Sequence, residues 1–424
     1  MNRHALKTHK TFSSHIEKKV IIGGETDFCA ERFGYIQGKN GISTAPMRKQ
    51  ATPLILIENV HMTYCMPTGV KALIAASDGK LYSWKYGSKN RHSTEGIISG
   101  IYPSVHSVIV DGAYYNAVVG GDKIAMATSG ARAQIYSIPV QLGCSVMHCG
   151  RLFAVDLTDG YMLRWSGYSL TDWTEGVDGA GFVRLNPRLG KLLKLFVLGD
   201  KIVVLREGGI TTITTLGDSR HMRADICDKH GLSDVYPDGS AICRGQLWIY
   251  TQKGMLVYDG STLAEAPTDK IMKGYVLSQP KVIDDRYIYY SALKDERKSL
   301  FVYDTETGAG NPFCIGCHSP FFCGEVGYAF YGTSLSTLEP NQNDPDRVWV
   351  SEPFTYDENK PAVLKSLTIE GSGYFIVETD CDGRKLYAVG AGKYRYSESA
   401  KSFTFKVTGV GTITAMTAEW EVRG

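Results

Sequence analysis

Three observations predict an all-β chain, a β-propeller of six or seven degenerate blades followed by a small C-terminal β-sandwich. Tyrosine (25) and glycine (46) are abundant, while long Ala, Leu, Glu and Lys runs at helical spacing are missing, which favours pleated surfaces and tight turns. Short apolar runs, often alternating, are separated by turn signals such as Ser77-Asp78-Gly79, Asp111-Gly112, Gly120-Gly121-Asp122, Thr158-Asp159-Gly160 and Gly199-Asp200, the pattern of many short strands joined by hairpins. One type of hairpin also recurs, at a spacing that suits a four-stranded blade of about 40–50 residues.

Residues 1–52 are less regular and carry Arg3, Lys7, Lys10, Lys18, Lys19, Arg48 and Lys49. They read as a solvated N-terminal arm, with ordering against a neighbouring subunit or a DNA-facing surface as the alternative. The start is basic and polar with no apolar stretch of the secretory kind, and the chain has no run of about 18 apolar residues that could span a bilayer, so the expectation is a soluble protein made in a cytoplasm.

Residues 53–360 read as the propeller. The stretch Ser77-Asp78-Gly79-Lys80-Leu81-Tyr82-Ser83-Trp84 matches Thr158-Asp159-Gly160-Tyr161-Met162-Leu163-Arg164-Trp165 in its Ser/Thr-Asp-Gly start and its tryptophan. Weaker echoes are Lys253–Asp259 and Lys298–Asp304, each a turn followed by an apolar alternation that reaches an aromatic residue. Tyr258 and Tyr303 lie 45 positions apart and Trp349 lies 46 further on. Candidate blades centre near 57–86, 105–138, 144–166, 190–216, 240–260, 280–304 and 325–351. Each would expose apolar faces that only its neighbours can cover, so closing the ring removes most exposed strand edges.

The loop Pro340–Pro345 and the polar stretch Glu352–Pro361 mark the exit from the ring. Residues 361–424 then alternate as strands Leu364–Glu370, Tyr374–Thr379, Lys385–Val389, Ser402–Val407 and Ile413–Val422, with Cys381-Asp382-Gly383-Arg384 as a hairpin turn. This is the expected sandwich.

The formal net charge of +2 supplies no strongly basic field of the kind that drives sequence-independent DNA binding. The ten cysteines show no framework spacing, which in a reducing compartment reads as buried thiols rather than disulfides.

Cys314-Ile315-Gly316-Cys317-His318 formally matches a c-type haem attachment site, but haem attachment needs export and an apolar pocket. With Cys323 nearby, Cys314, Cys317, His318 and Cys323 make a conceivable tetrahedral zinc set. Structural zinc sites usually draw ligand pairs from two hairpins, so the expectation is a loop of reduced thiols with no metal and no cofactor. The aromatic group Trp165, Tyr168 and Trp173 could stack on sugar faces, although such residues more often fill the wedge between blades.

The propeller glycosidase turn Ser-x-Asp-x-Gly-x-x-Trp is not matched at Ser77-Asp78-Gly79, where Asp and Gly serve a turn. Nothing singles out a carboxylate pair among Asp156, Asp159, Asp172, Glu175 and Asp178. His61, His106, His148, His221 and His230 are isolated in sequence and read as structural. No nucleophile elbow, phosphate loop or metalloprotease helix is present, so no catalytic residue is expected.

Gly150–Asp156, leading through Trp165 to Ser169-Leu170-Thr171-Asp172-Trp173, resembles the tail hub or nozzle (packaged-DNA stabilisation) family of short-tailed bacteriophages. The order of later elements is similar too: Gly208–Ile213, then Lys229-His230-Gly231-Leu232, Met255–Tyr258 and Ser299–Asp304. The resemblance covers residues 55–424. It implies a propeller-based virion subunit, assembled in the host cytoplasm as a homo-oligomeric ring, by family a hexamer, below portal and adaptor. Such a ring retains packaged genomic DNA and passes it non-specifically through its lumen. No catalytic residues carry over, and the Cys314–Cys323 loop and basic start depart from the family. The competing expectations are a propeller adhesin holding host glycans on Trp165, Tyr168 and Trp173, and a propeller glycoside hydrolase.

Overall fold

The computed structural model describes residues 14–23, 29–38, 40–49, 53–67, 71–76, 79–94, 103–110, 113–128, 133–216, 223–339, 346–355 and 361–423. The turn residues Ser77-Asp78 and Asp111-Gly112, the loop Pro340–Pro345, and Arg3, Lys7 and Lys10 lie outside them. The chain divides into two units, one of Arg48–Gly310 and Cys314–Glu339, the other of Met1–Met47, Asn311–Phe313 and Pro340–Gly424.

The first unit is a six-bladed β-propeller built on antiparallel sheets. Blade 1 has strands Val60–Cys65, Lys71–Ala76, Leu81–Lys85 and Arg91–Thr94. Blade 2 is six-stranded, with Ser104–Val110, Ala113–Ala127, Gln134–His148, Arg151–Asp156, Met162–Trp165 and Gly181–Arg184. Blade 3 comprises Leu192–Leu198, Lys201–Arg206, Gly209–Leu216 and Arg223–His230; blade 4 comprises Ala241–Cys243, Gln246–Thr251, Gly254–Tyr258 and Leu263–Glu265. Blade 5 comprises Val276–Ile283, Tyr287–Lys294 and Arg297–Asp304, with Gly310 opening its fourth strand. Blade 6 takes Cys317–Cys323, Val326–Tyr331 and Ser334–Glu339 from its own segment and is completed at Arg48 and Lys49, from near the start of the chain.

The second strand of each blade is apolar on both faces because it lies between two neighbours. Successive side chains point to opposite faces of a sheet, so alternate residues enter different wedges. In blade 1 Ala72, Ile74 and Ala76 pack with Phe321 and Phe330 of blade 6, while Leu73 and Ala75 pack with Val118 and Ala125 of blade 2. In blade 3 Ile202 and Val204 face Phe153 and Leu163 of blade 2, and Val203 and Leu205 face Leu247 and Ile249 of blade 4. Trp248 and Tyr250 turn the other way, onto Ile288, Tyr290 and Tyr303 of blade 5. Each fully buried side chain of this kind contributes on the order of 1.5–3 kcal/mol.

The recurring aromatic residue is also a wedge residue. Trp84, Tyr258 and Tyr303 sit in the third strands of blades 1, 4 and 5, and Trp165 in the third of blade 2's last four. The Trp84 ring meets Phe321 and Tyr328 of blade 6 edge-on, with centroids 6.2 and 5.2 Å apart.

Three expectations are corrected. The candidate blades at 105–138 and 144–166 are one sheet, because Gln134–His148 is a single bulged strand that pairs with Ala113–Ala127 over its first half and with Arg151–Asp156 over its second. Trp349 is outside the repeat, since Val348–Ser351 pairs with Cys29–Phe33 and Ser402–Arg423 in the second unit. The expected arm is structured where it is described: Ser14–Ile22, Cys29–Phe33, Tyr35–Gly38 and Gly41–Thr44 are strands of that second sheet. Its apolar positions were hidden from a composition reading by the interleaved Lys18, Lys19 and Glu31.

The second unit is one ten-stranded sheet folded on itself. Ala362–Cys381 and Ser402–Arg423 run antiparallel through its middle. The segments expected as Leu364–Glu370 and Tyr374–Thr379 are two halves of the first of these strands, and Ser402–Val407 and Ile413–Val422 are two halves of the second. At the crossing Gly373 pairs with Gly411, with Gly371 and Gly409 two residues to either side, and glycines 371, 373, 409 and 411 have φ of 156, 111, 105 and 155°. Those conformations suit glycine alone, and they make corners where a strand passes from one layer to the other. The two halves then meet face to face, with Trp420 edge-on to Phe403 and Phe405 at 5.9 and 6.3 Å.

A Cβ added at Gly409 would lie 2.5 Å from the Tyr374 carbonyl oxygen. Gly409→Ala is therefore expected to cost about 1–3 kcal/mol, read as a lower midpoint with unchanged slope for the second unit in urea unfolding.

Candidate functional site

The first strands of consecutive blades, in blade 2 the first of its last four, Gln134–His148, adjoin around the ring axis, and those of blades 1, 2, 3, 5 and 6 each carry a bulge. A bulge turns the strand and re-aims its side chains. Here the bulges bring polar groups to the centre: Thr63 and Cys65, Cys144 and Ser145, Lys194, Gln279 and Lys281, and Ser319.

From blade 5, Gln279 Nε2 donates to the His61 carbonyl at 2.8 Å and Lys281 Nζ donates to the Thr63 carbonyl, so two side chains two residues apart reach two carbonyls two residues apart on blade 1. Ser291 Oγ donates to Gln279 Oε1 at 3.0 Å, and Ser319 N donates to Ser291 Oγ at 2.7 Å. Lys194 Nζ donates to the Ser240 carbonyl at 3.4 Å. Burial, and then the Lys194 ammonium, push the Lys281 ammonium down to about 8. Enclosure likewise holds the His106 imidazole down at about 4, where it stays neutral and bonds Ser145 Oγ at 2.9 Å.

Beside this centre a cleft of about 670 Å³ opens among blades 1, 5 and 6, with His61, Gln279, Ser291, Lys298, His318 and Thr333 in its lining. Gln279 and Ser319, both within strands, have φ of 53 and 50°, and Asn59 at the rim has 45°. His318 Nε2 donates to the Gly332 carbonyl at 2.9 Å, leaving Nδ1 to accept from Ser319 Oγ at 2.9 Å. Its ring stacks on Phe330 at 6.0 Å. Burial lowers the His318 pKa, the Gly332 carbonyl opposes that, and the nearby Lys298 ammonium adds to it.

The four zinc candidates are not one site. Cys314 and Cys317 are buried with their sulfurs 3.0 Å apart across a tight turn. His318 has both ring nitrogens engaged as described. Cys323 faces Cys65 and Tyr86 between blades 6 and 1. Among the described residues no three His, Cys, Asp or Glu side chains converge on a metal position, no disulfide is formed, and no helix is long and apolar enough to cross a membrane.

The aromatic trio is separated as well. Trp173 is 3 % exposed and donates from Nε1 to the Leu170 carbonyl at 2.9 Å. Trp165 packs on Phe153 and donates to the Gly179 carbonyl at 3.0 Å. Only Tyr168 stands exposed, under the Arg151 guanidinium at 4.1 Å. A flat stacking platform is therefore absent from this hairpin. His61 and His318, unrelated in sequence, share the cleft. Lys298, Gln279 and Ser291 carried no sequence signal, since each is an ordinary strand residue until the ring closes.

No protein-family model matches the sequence, and no curated protein matches it. Solved structures do match. The extracellular domain of a one-component system of B. thetaiotaomicron is 10% identical with a TM-score of 0.50, covering 90% of this chain and 61% of that one. The Cps50 (Swd1) β-propeller domain of Myceliophteria thermophila is 10% identical, with TM-score 0.46 and coverage of 70% and 99%. Virginiamycin B lyase from Staphylococcus aureus is 10% identical, with TM-score 0.45 and coverage of 77% and 99%. Likeness at this identity is a likeness of fold alone.

Trp173→Ala is expected to destabilise the protein by about 3–5 kcal/mol, whereas Tyr168→Ala changes stability by under about 1 kcal/mol; thermal unfolding of both checks this. The Lys281 proton is held to higher pH in the unfolded chain than in the folded one. Stability from this group therefore rises between about pH 8 and the ordinary lysine value of about 10.4. Lys281→Met should raise the melting temperature at pH 7 and flatten that part of the profile.

Proposed function

We propose that the chain is a structural subunit of a bacteriophage tail, part of the hub or nozzle ring below portal and adaptor that retains packaged DNA and forms its exit conduit. The observation that carries this reading is the surface of the second unit. Its strand Ser14–Ile22 pairs on one side with Ser402–Arg423 and presents Ile16 and Val20 to solvent at 64% and 41% exposure. Tyr374, Tyr387 and Val389 of the same sheet are also exposed. Apolar side chains on open strands are the surface that association between subunits covers. The series Gly208–Ile213, Met255–Tyr258 and Ser299–Asp304, which runs through the third strands of blades 3, 4 and 5, carries the resemblance to the tail hub family.

The propeller's own axis cannot be the conduit. Gln279 and Lys281 span from blade 5 to carbonyls of blade 1, a crossing far narrower than a DNA duplex. A lumen has to lie between copies, closed by repetition of one subunit contact around a symmetry axis, and the near-neutral charge suits a wall along which DNA slides without sticking.

The protein mixed with the proteins encoded beside its gene is expected to form rings or tubes with a central hole in negative stain, with matching masses in mass photometry. Ile16→Asp with Tyr374→Asp should reduce these to monomers while the circular dichroism spectrum stays unchanged. A strictly monomeric wild-type chain in that mixture overturns the proposal.

A further inference from the structure

We infer that the cleft among blades 1, 5 and 6 is a binding site for a small phosphate monoester, with the phosphate at Lys298 and the organic body against Val276 and Leu293. The volume of about 670 Å³ falls within the range of small-molecule sites. The lining carries one ammonium, two imidazoles, two side-chain amides and several hydroxyls, and no carboxylate. A surface with many donors and a cation but no acid favours an anion with several acceptor oxygens.

Three observations separate this cleft from an ordinary groove. Lys298 is exposed and forms no ion pair among the described residues, and its charge is felt at His318. The next inward residue on the same strand as Gln279 that reaches blade 1 is Lys281, whose ammonium feels a second cation, Lys194, so positive charge lies behind the cleft. Non-glycine residues in left-handed backbone, Asn59, Gln279 and Ser319, converge on it, and such conformations persist where surrounding structure over-determines them.

The wall directly beside Lys298 is apolar, since Lys298 pairs across blade 5 with Leu293. Val276 and Leu293 are paired across blade 5 and each is 42% exposed, offering a flat wall to a planar or hydrocarbon body. Lys298 donates as a point charge and needs no fixed geometry. His318 already gives Nε2–H to Gly332, so it forms a wall of the site and does not donate from that nitrogen. The inference does not rest on the tail assignment, because it uses only the propeller.

The test is isothermal titration of the full chain with phenyl phosphate, inorganic phosphate and benzoate. Phenyl phosphate is expected to bind about tenfold more tightly than either of the others, and Lys298→Ala to weaken it by at least about tenfold, with Lys298→Arg retaining most of the affinity. Lys298 is exposed, so the variant's unchanged melting temperature serves as the folding control. Absence of phenyl phosphate binding at millimolar concentration overturns the inference. So do equal affinity in Lys298→Ala and benzoate binding as tightly as phenyl phosphate.

Discussion

A blade of four strands has two apolar faces and can hide them only between two other blades. Every blade of the ring obeys this constraint through the alternation of its second strand, which sends Val203 and Leu205 one way and Ile202 and Val204 the other. The wedges are filled by large rings, Trp84 against Phe321 and Tyr328, and Trp248 against Tyr303. Ring closure follows from the same need. Lys49 N donates to the Thr337 carbonyl and Lys49 Nζ pairs with Glu339 at 2.8 Å, so a segment from the start of the chain runs beside the last blade and covers its edge. Stability is spread around the ring, and closure by a distant segment ties early and late parts of the chain together.

The second unit solves a different problem with different residues. Its two long strands must serve two layers, and a continuous strand can change layers only where side chains do not obstruct the bend. Glycines 371, 373, 409 and 411 cluster around the pairing of Gly373 with Gly411, so both strands bend at one place and the two halves of each line opposing faces. Trp420 then reaches Phe403 and Phe405 across the interior. Among the described residues strand Ser14–Ile22 pairs with Ser402–Arg423 alone and turns Ile16 and Val20 toward solvent.

At the ring centre the same geometry that hides apolar faces concentrates polar ones. Innermost strands crowd toward an axis, and their bulges point amides, hydroxyls and ammonium groups at one another. Gln279 links Ser291 to His61, and Lys281 links blade 5 to Thr63. Two lysines kept there at an electrostatic cost, with no acid against Lys281, are a poor choice for stability alone. They give the middle of the propeller a positive character that the overall charge does not reveal.

The sequence by itself determined the all-β class, the recurring third-strand aromatic residue, the turns at Thr158-Asp159-Gly160 and Gly199-Asp200 and the positions of most strands, because period-two alternation and Gly/Asp punctuation are local properties of the chain. Gly120-Gly121-Asp122, expected as a turn, instead lies inside the strand Ala113–Ala127. The sequence did not determine the blade count. Whether Gln134–His148 stops or continues depends on its partners on both sides. The four cysteine and histidine candidates, and Trp165, Tyr168 and Trp173, looked like groups because they are near in sequence, yet strand alternation and turns send their side chains to separate environments. The cleft could be assembled only by tertiary structure. His61, Gln279, Lys298 and His318 come from three blades, and nothing in their local sequence differs from that of any solvated strand, since their meeting is a consequence of closing the ring.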